Sequence, residues 1–135
     1  MLDTIAQIIN GTTYPKKQDH KLATYTKKIL KDDARIDWTK PAALLEKEIR
    51  AYYPWPVSYI SYLSARMRVL KASVVSCDND KVAGTVLSLD PSCLVVQAGQ
   101  DALKIENIQF SGGKELSVAA WLHGHKPKIL QNDKI

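Results

Sequence analysis

Three groups of residues in this chain have the types and spacing that chemistry uses. The first is histidine. His123 and His125 flank Gly124 and could open a metal site, while His20 stands far off in sequence. A zinc site needs further Cys, His or carboxylate ligands at close spacing. No such cluster accompanies the pair, so they read as surface histidines at a helix end. The second group is Ser111-Gly112-Gly113-Lys114, which has the texture of a phosphate loop. That loop needs a glycine five residues before Gly113 and a Ser or Thr after the lysine. Ile108 and Glu115 occupy those places. The run reads instead as a turn whose glycine supplies positive φ. The third group is Asp32, Asp33 and Asp37, carboxylates near enough in sequence for acid–base work. A solvated linker face explains them as well. No GxSxG elbow and no Ser/His/Asp set is visible. The residues alone assemble no catalytic constellation.

What remains is positive charge. Nineteen Lys and Arg against fourteen Asp and Glu give a net charge of +5. That balance permits binding to a polyanion without requiring it. The lysines concentrate in residues 11–37, where Lys16, Lys17, Lys21, Lys27, Lys28, Lys31 and Arg35 face Asp19, Asp32, Asp33 and Asp37. Lys27, Lys28 and Lys31 fall close together.

These charges must be positioned by a small number of elements. Leu2, Ile5, Ile8 and Ile9 share one face at helical spacing, and Asn10-Gly11 stops the helix. So short a helix is marginal alone, and its apolar face wants a partner. Residues 11–37 show no sustained period and read as a linker. A second helix follows, with Thr39 as cap, Pro41 in its first turn, and Leu45, Ile49 and Tyr52 as its buried face. Glu46 and Arg50 are spaced to pair on its exposed side. Pro54 and Pro56 end it, and the PWP tripeptide is extended or turning. From Val57 to Phe110 the texture is β, in runs Val57–Leu63, Arg66–Ser76, Val82–Leu89, Cys93–Ala98 and Ala102–Phe110. Turn residues between them predict a small antiparallel barrel or sandwich, whose closure would remove exposed edges. A last helix spans Val118–His123, capped by Ser117 and stopped at Gly124. The tail Lys126–Ile135 reads as polar and loose.

Composition bounds the rest. One hundred and thirty-five residues, 45% apolar and 24% charged, describe one globular domain. Apolar runs of four or five residues rule out a transmembrane helix, and no secretory pattern opens the chain, so a cytoplasmic protein is expected. Cys77 and Cys93 read as free buried thiols, with a disulfide as the alternative.

One resemblance organises these pieces. KDDARIDW at Lys31–Trp38, followed by Ala42, Leu45, Ile49-Arg50-Ala51 and Pro54-Trp55-Pro56, closely resembles the start of the C-terminal domain of methionyl-tRNA formyltransferases. Arg68-Val69-Leu70-Lys71-Ala72, Gly84-Thr85-Val86 and Gly113-Lys114-Glu115-Leu116-Ser117 are similar to later stretches of that domain. LDTIAQIINGTTYP resembles the last helix of the catalytic domain and the linker after it. The resemblance implies a mainly β fold, an OB-like antiparallel open β-barrel with a few peripheral helices. It implies four parts: residues 1–10, the terminal helix of a catalytic domain; 11–33, a basic linker; 34–125, the barrel; and 126–135, a polar tail.

The resemblance also implies what this chain lacks. Family members bind 10-formyltetrahydrofolate on an N-terminal Rossmann-like domain that holds a catalytic Asn, His and Asp. None of its motifs occurs here, so the chain is expected to be inactive alone and to bind no cofactor itself. Its implied partners are that domain and initiator methionyl-tRNA, and no membrane. Lys28 corresponds to a basic residue of the family's linker. Arg68 and Lys71 correspond to basic positions in the second strand, and Lys114 to the lysine before the last helix. Lys27 and Lys31 join as neighbours of Lys28, and Arg66 through the local cluster of charge. Arg35 and Arg50 are expected in ion pairs with Asp37 and Glu46. Trp38, Trp55 and Trp121 are expected as core anchors. Two other readings stay open. One is a structural barrel from a formyltransferase acting on a nucleotide sugar or on formyl-tetrahydrofolate. The other is a free-standing module that binds nucleic acid generally.

Overall fold

The computed structural model describes residues 2–63, 65–78, 80–90, 93–124, 129 and 131–135. Expectations attached to Ser64, Asn79, Pro91, Ser92, His125 and tail positions 126–128 and 130 lie outside the described residues.

The β-branched and aromatic runs form one antiparallel sheet. Its strands are β1 (Tyr59–Tyr62), β2 (Ala65–Val75), β3 (Val86–Asp90), β4 (Cys93–Gln97), β5 (Ala102–Phe110) and β6 (Glu115–Ser117). The order is β1-β2-β5-β4-β3, with β6 also pairing β5. β5 is the pivot. One of its edges pairs β2, from Met67 opposite Phe110 to Val75 opposite Ala102. Its other edge is shared: Ala102–Ile105 pair β4, and Asn107–Gln109 pair β6. The hand-over falls at Glu106.

The register slips there. Val69 lies opposite Ile108, Lys71 opposite Asn107 and Ala72 opposite Ile105, so Leu70 and Glu106 are each one residue extra. Such bulges bend and twist a sheet, and this one forms a half-barrel. They also change which side chains point inward. Ile105 and Ile108 are both fully buried, although a strict period of two would expose one of them. Lys71 would otherwise share the buried side of Met67 and Val69, and the slip turns it outward.

Three helices complete the fold: α1 (Leu2–Ile9), α2 (Ala42–Ala51) and α3 (Val118–Gly124). α2 lies on β2 and β5, burying Ala42, Leu45 and Ile49 in the core with Met67, Val69, Leu103 and Ile108. Each fully buried Leu, Ile, Val or Met side chain among these contributes about 1.5–3 kcal/mol. Ser117 Oγ accepts from the Ala120 amide and caps α3 as expected. α3 is fixed by Trp121, which packs against Tyr62 and Phe110 with ring centroids 5.7 Å from each. Among the described residues no helix is long and apolar enough to cross a membrane.

Three expectations are corrected. Thr39 does not cap α2; its amide and hydroxyl both turn back to Asp37 Oδ1, and Pro41 takes the cap position. The sheet stays open, in line with the open barrel that the resemblance implies, and other segments cover its edges. Arg35 bridges β1 at Tyr59, and the chain end covers β3. The tail is therefore not loose where it is described. The Val86 amide donates to the Asp133 carbonyl at 2.8 Å, Asn132 N–H to Val86 at 2.8 Å, and Ile135 N–H to Gly84 at 2.9 Å. Ile129 joins the core. Polar side chains concealed a run whose backbone groups are paired. Arg35 makes no ion pair among the described residues, because Asp37 is taken by Thr39. The Glu46–Arg50 pair forms as expected, at 2.6 Å.

Residues 2–30 differ from all of this. None of α1 is buried, and the linker beyond it is exposed. A short 3-10 turn at His20–Leu22, capped by Asp19, is the linker's local order.

Candidate functional site

The linker meets the barrel at a second 3-10 turn, Lys31–Ala34. Asp33 builds it, its Oδ2 accepting from the Leu30 amide at 2.7 Å. Ala34 anchors it in the core, and the Ile36 amide donates to the Tyr59 carbonyl at 2.9 Å. Asp32 ties it to the sheet. Its Oδ1 accepts from Arg66 Nη2 at 3.0 Å and from the Tyr59 hydroxyl at 3.2 Å. The Arg66 guanidinium also lies over the Tyr59 ring, 4.4 Å from its centroid. Each of the three sequence-adjacent carboxylates thus has a structural partner. Thr39 holds the Asp37 carboxyl below the usual carboxylate range, chiefly through its hydroxyl hydrogen bond.

These ties place Lys31 beside the strand cations. Lys31, Arg66 and Arg68 line a cleft of about 230 Å³ with Trp55, Pro56, Val57, Tyr59 and Ser111. Arg66 and Arg68 share the exposed side of β2 because Met67 between them is buried. Arg68 Nη1 donates to Gln109 Oε1 at 3.2 Å, across to β5. Gln109 in turn donates to the Gly113 carbonyl, holding the β5–β6 turn at the same end of the sheet. That turn carries Lys114. Gly112 has φ of 74°, the left-handed conformation expected of the Ser111–Lys114 run.

The expected cations therefore divide. Lys31, Arg66 and Arg68 converge, and Lys114 stands on the neighbouring turn. Lys71 is on the same strand but pairs with Glu106 at 2.8 Å, which raises the lysine's pKa and lowers the glutamate's. Lys27 and Lys28 are exposed on the linker. Lys28 is three residues from Lys31, so its Cα lies within about 10 Å of it. His123 is on the α3 surface with Nδ1 2.8 Å from the Ala119 carbonyl. Cys77 is half-buried and Cys93 is buried.

One residue of the cleft was misassigned from sequence. Trp38 and Trp121 are core anchors, at 8% and 2% exposure, but Trp55 is 55% exposed. The turn after α2 carries it outward. Asp32 and Tyr59 were missed as well, because their roles depend on contacts across 34 and 27 residues of sequence.

Comparison with known proteins agrees with this architecture. The family model described as Formyl transferase, C-terminal domain matches residues 28–126. The methionyl-tRNA formyltransferase of Chloroflexus aurantiacus (strain ATCC 29366 / DSM 635 / J-10-fl) is 38% identical over 125 residues, covering 92% of this chain and 40% of the relative. That of Pseudomonas savastanoi pv. phaseolicola (strain 1448A / Race 6) is 38% identical over 129 residues, 96% of this chain and 40% of the relative. The chain thus spans about 40% of the length of these curated relatives. In fold it is similar to HypX from Aquifex aeolicus in complex with tetrahydrofolic acid, with TM-score 0.61, 18% identity, and coverage of 99% of this chain and 24% of that one. With the family model matching most of its length, this chain belongs to the formyl transferase C-terminal domain family.

Proposed function

We propose that this chain is the tRNA-gripping C-terminal portion of a methionyl-tRNA formyltransferase, acting in the cytoplasm on initiator tRNA. One observation carries the reading: the linker's basic end is pinned to the sheet so that Lys31 joins Arg66 and Arg68 in one cleft. Cations spaced along a surface are what a phosphate backbone engages. Lys27 and Lys28 extend the row along the linker, and Lys114 extends it across the β5–β6 turn. The proposal assigns binding of 10-formyltetrahydrofolate and formyl transfer to the part of the longer relatives outside this chain. The exposed face of α1, with Leu2, Ile5, Ile8 and Ile9, docks on that part.

A structural role without RNA is the second reading, as in a barrel from a formyltransferase acting on a nucleotide sugar or on formyl-tetrahydrofolate. It is favoured by the partnering of two cations, Arg66 by Asp32 and Lys71 by Glu106. Binding of initiator tRNA across a salt series decides between them. The expected log affinity falls with log salt by roughly 0.7–0.9 per phosphate contact. Lys27→Glu, Lys28→Glu and Lys31→Glu together weaken binding at least tenfold at low salt. No binding at low salt, or binding that the triple variant leaves unchanged, supports the structural role.

A further inference from the structure

The cationic row leaves Trp55 unexplained. An indole held in water forgoes the burial that stabilises Trp38 and Trp121. Its surroundings are nonetheless firmly built. Pro54 and Pro56 flank it, each fixing its own φ and restricting the residue before it. The Val57 amide closes the turn on the Tyr52 carbonyl at 3.0 Å, and the Val69 amide donates to the Ser58 carbonyl at 2.8 Å. Val57 itself is held at φ of 71°, a strained conformation for a β-branched residue. An aromatic side chain on so constrained a backbone has little freedom to lose on binding.

The cleft around the indole has a definite chemistry. Arg66 is fixed from two sides, by Asp32 and by the Tyr59 ring. Arg68 is met by the neutral amide of Gln109 and keeps its charge for a ligand. Lys31 makes no ion pair among the described residues. A ligand that suits all of them has a flat π-face and an adjacent anion. In structured RNA that is an unpaired nucleotide, whose base is free to leave its stack. Stacking on an aromatic ring tolerates any base, and basic side chains beside the ring track the backbone.

We propose that this cleft is a single-nucleotide subsite: an unpaired base stacks on Trp55 while its phosphate is held by Arg68 and Lys31. Arg66 is a positioning residue, a fixed positive wall rather than a mobile clamp. The inference rests on the RNA reading above and sharpens it, because a backbone grip alone has no use for an exposed indole.

The test titrates the whole chain, wild type and variants, with initiator tRNA over a salt series. In parallel, acrylamide quenching of tryptophan fluorescence reports on the exposed indole, since Trp38 and Trp121 are buried. Trp55→Leu is expected to weaken binding about fivefold or more at every salt concentration. Its salt slope stays that of wild type, because stacking releases no counterion. Trp55→Phe recovers part of the loss. Arg68→Ala lowers the slope by roughly 0.7–0.9. Bound tRNA shields the wild-type indole from acrylamide. If Trp55→Leu binds as tightly as wild type, or tRNA leaves quenching unchanged, the subsite is refuted while the backbone grip stands. If wild type binds no tRNA, the grip fails, and single-stranded hexa-adenylate decides the subsite. Shielding of Trp55 by that oligonucleotide supports it, and no shielding overturns it.

Discussion

Two short amphipathic helices in this chain meet opposite fates. In α2, Leu45 is 1% exposed, packed against β2 and β5. In α1, Ile5 and Ile8 are 49% and 62% exposed, and no residue is buried. Their sequence patterns are the same kind of statement. A 3.6-residue period says that an apolar face exists, and nothing about where its partner is. α2 finds its partner within the chain, and α1 does not. The cations divide along the same line. Arg66 and Arg68 stand on a strand that packing holds in place. Lys27 and Lys28 hang on a linker and must be ordered when they meet a phosphate, at a cost in chain and side-chain entropy. Placed charges confer register on a polyanion, while the tethered ones add mainly attraction.

The largest expected effect tests that division directly. Leu45→Ala should lower stability by about 2–5 kcal/mol, since a core cavity replaces a packed side chain. Ile5→Ala should change it by less than about 0.5 kcal/mol, as at a surface site. Denaturant unfolding of both variants measures the contrast, and equal losses would erase it. Glycines give a smaller version of the comparison. The Gly99 amide donates to the Lys40 carbonyl at 3.0 Å, and a Cβ there would collide with the Thr39 carbonyl carbon at 2.7 Å. Gly99→Ala should therefore cost about 1–3 kcal/mol through forced backbone movement. Gly11 ends α1 with φ of 65° and open space around it. Gly11→Ala frays α1 and leaves the unfolding midpoint of the barrel unmoved; a shifted midpoint would mean that α1 and the barrel unfold together.

Legibility in the sequence followed the same physics. β4, β5 and α3 were readable within a residue, because turn or cap residues mark their ends, while α2 begins two residues later than a Thr39 cap implies. β6, at Glu115–Ser117, is too short for any period, and its residues read as a turn and a cap. β3 begins at Val86 rather than Val82, because Gly84 takes φ of 88° and turns the chain against the Ile135 carbonyl and Trp38. The bulges at Leu70 and Glu106 were invisible, since neither residue type demands one. Of the site, residue type and resemblance pointed to the cations. The pinning of Lys31 through Asp32 to Arg66 and Tyr59 needed the fold. So did the exposure of Trp55, since a large aromatic is usually a core residue and only the turn around it decides otherwise.

The smallest effect concerns the one strand cation whose charge is matched by a bulge residue. Lys71 lies 2.8 Å from Glu106, and this hydrogen bond, with a second from Ser73, holds the Glu106 carboxyl below the 4.5 of a free glutamate. A carboxylate whose pKa is lower folded than unfolded binds fewer protons in the native state near and below that value. The pair's contribution is therefore complete above pH 4.5 and fades as pH falls through the depressed value. Lys71 behaves as the mirror image. Its pKa is raised above 10.5 by Glu106, so its part is complete below that pH and is lost as pH rises through the raised value. Glu106→Gln should lower the unfolding midpoint slightly at pH 7, with the difference from wild type closing as acid protonates Glu106. A difference that stays constant from pH 7 to strongly acid conditions would place its cause in the bulge geometry rather than the ion pair. The same variant frees Lys71, so it should steepen the salt dependence of tRNA binding by up to the ~0.7–0.9 of one further phosphate contact. An unchanged slope would mark Lys71 as a residue of the fold alone, and leave Arg66 and Arg68 as the strand's share of the grip.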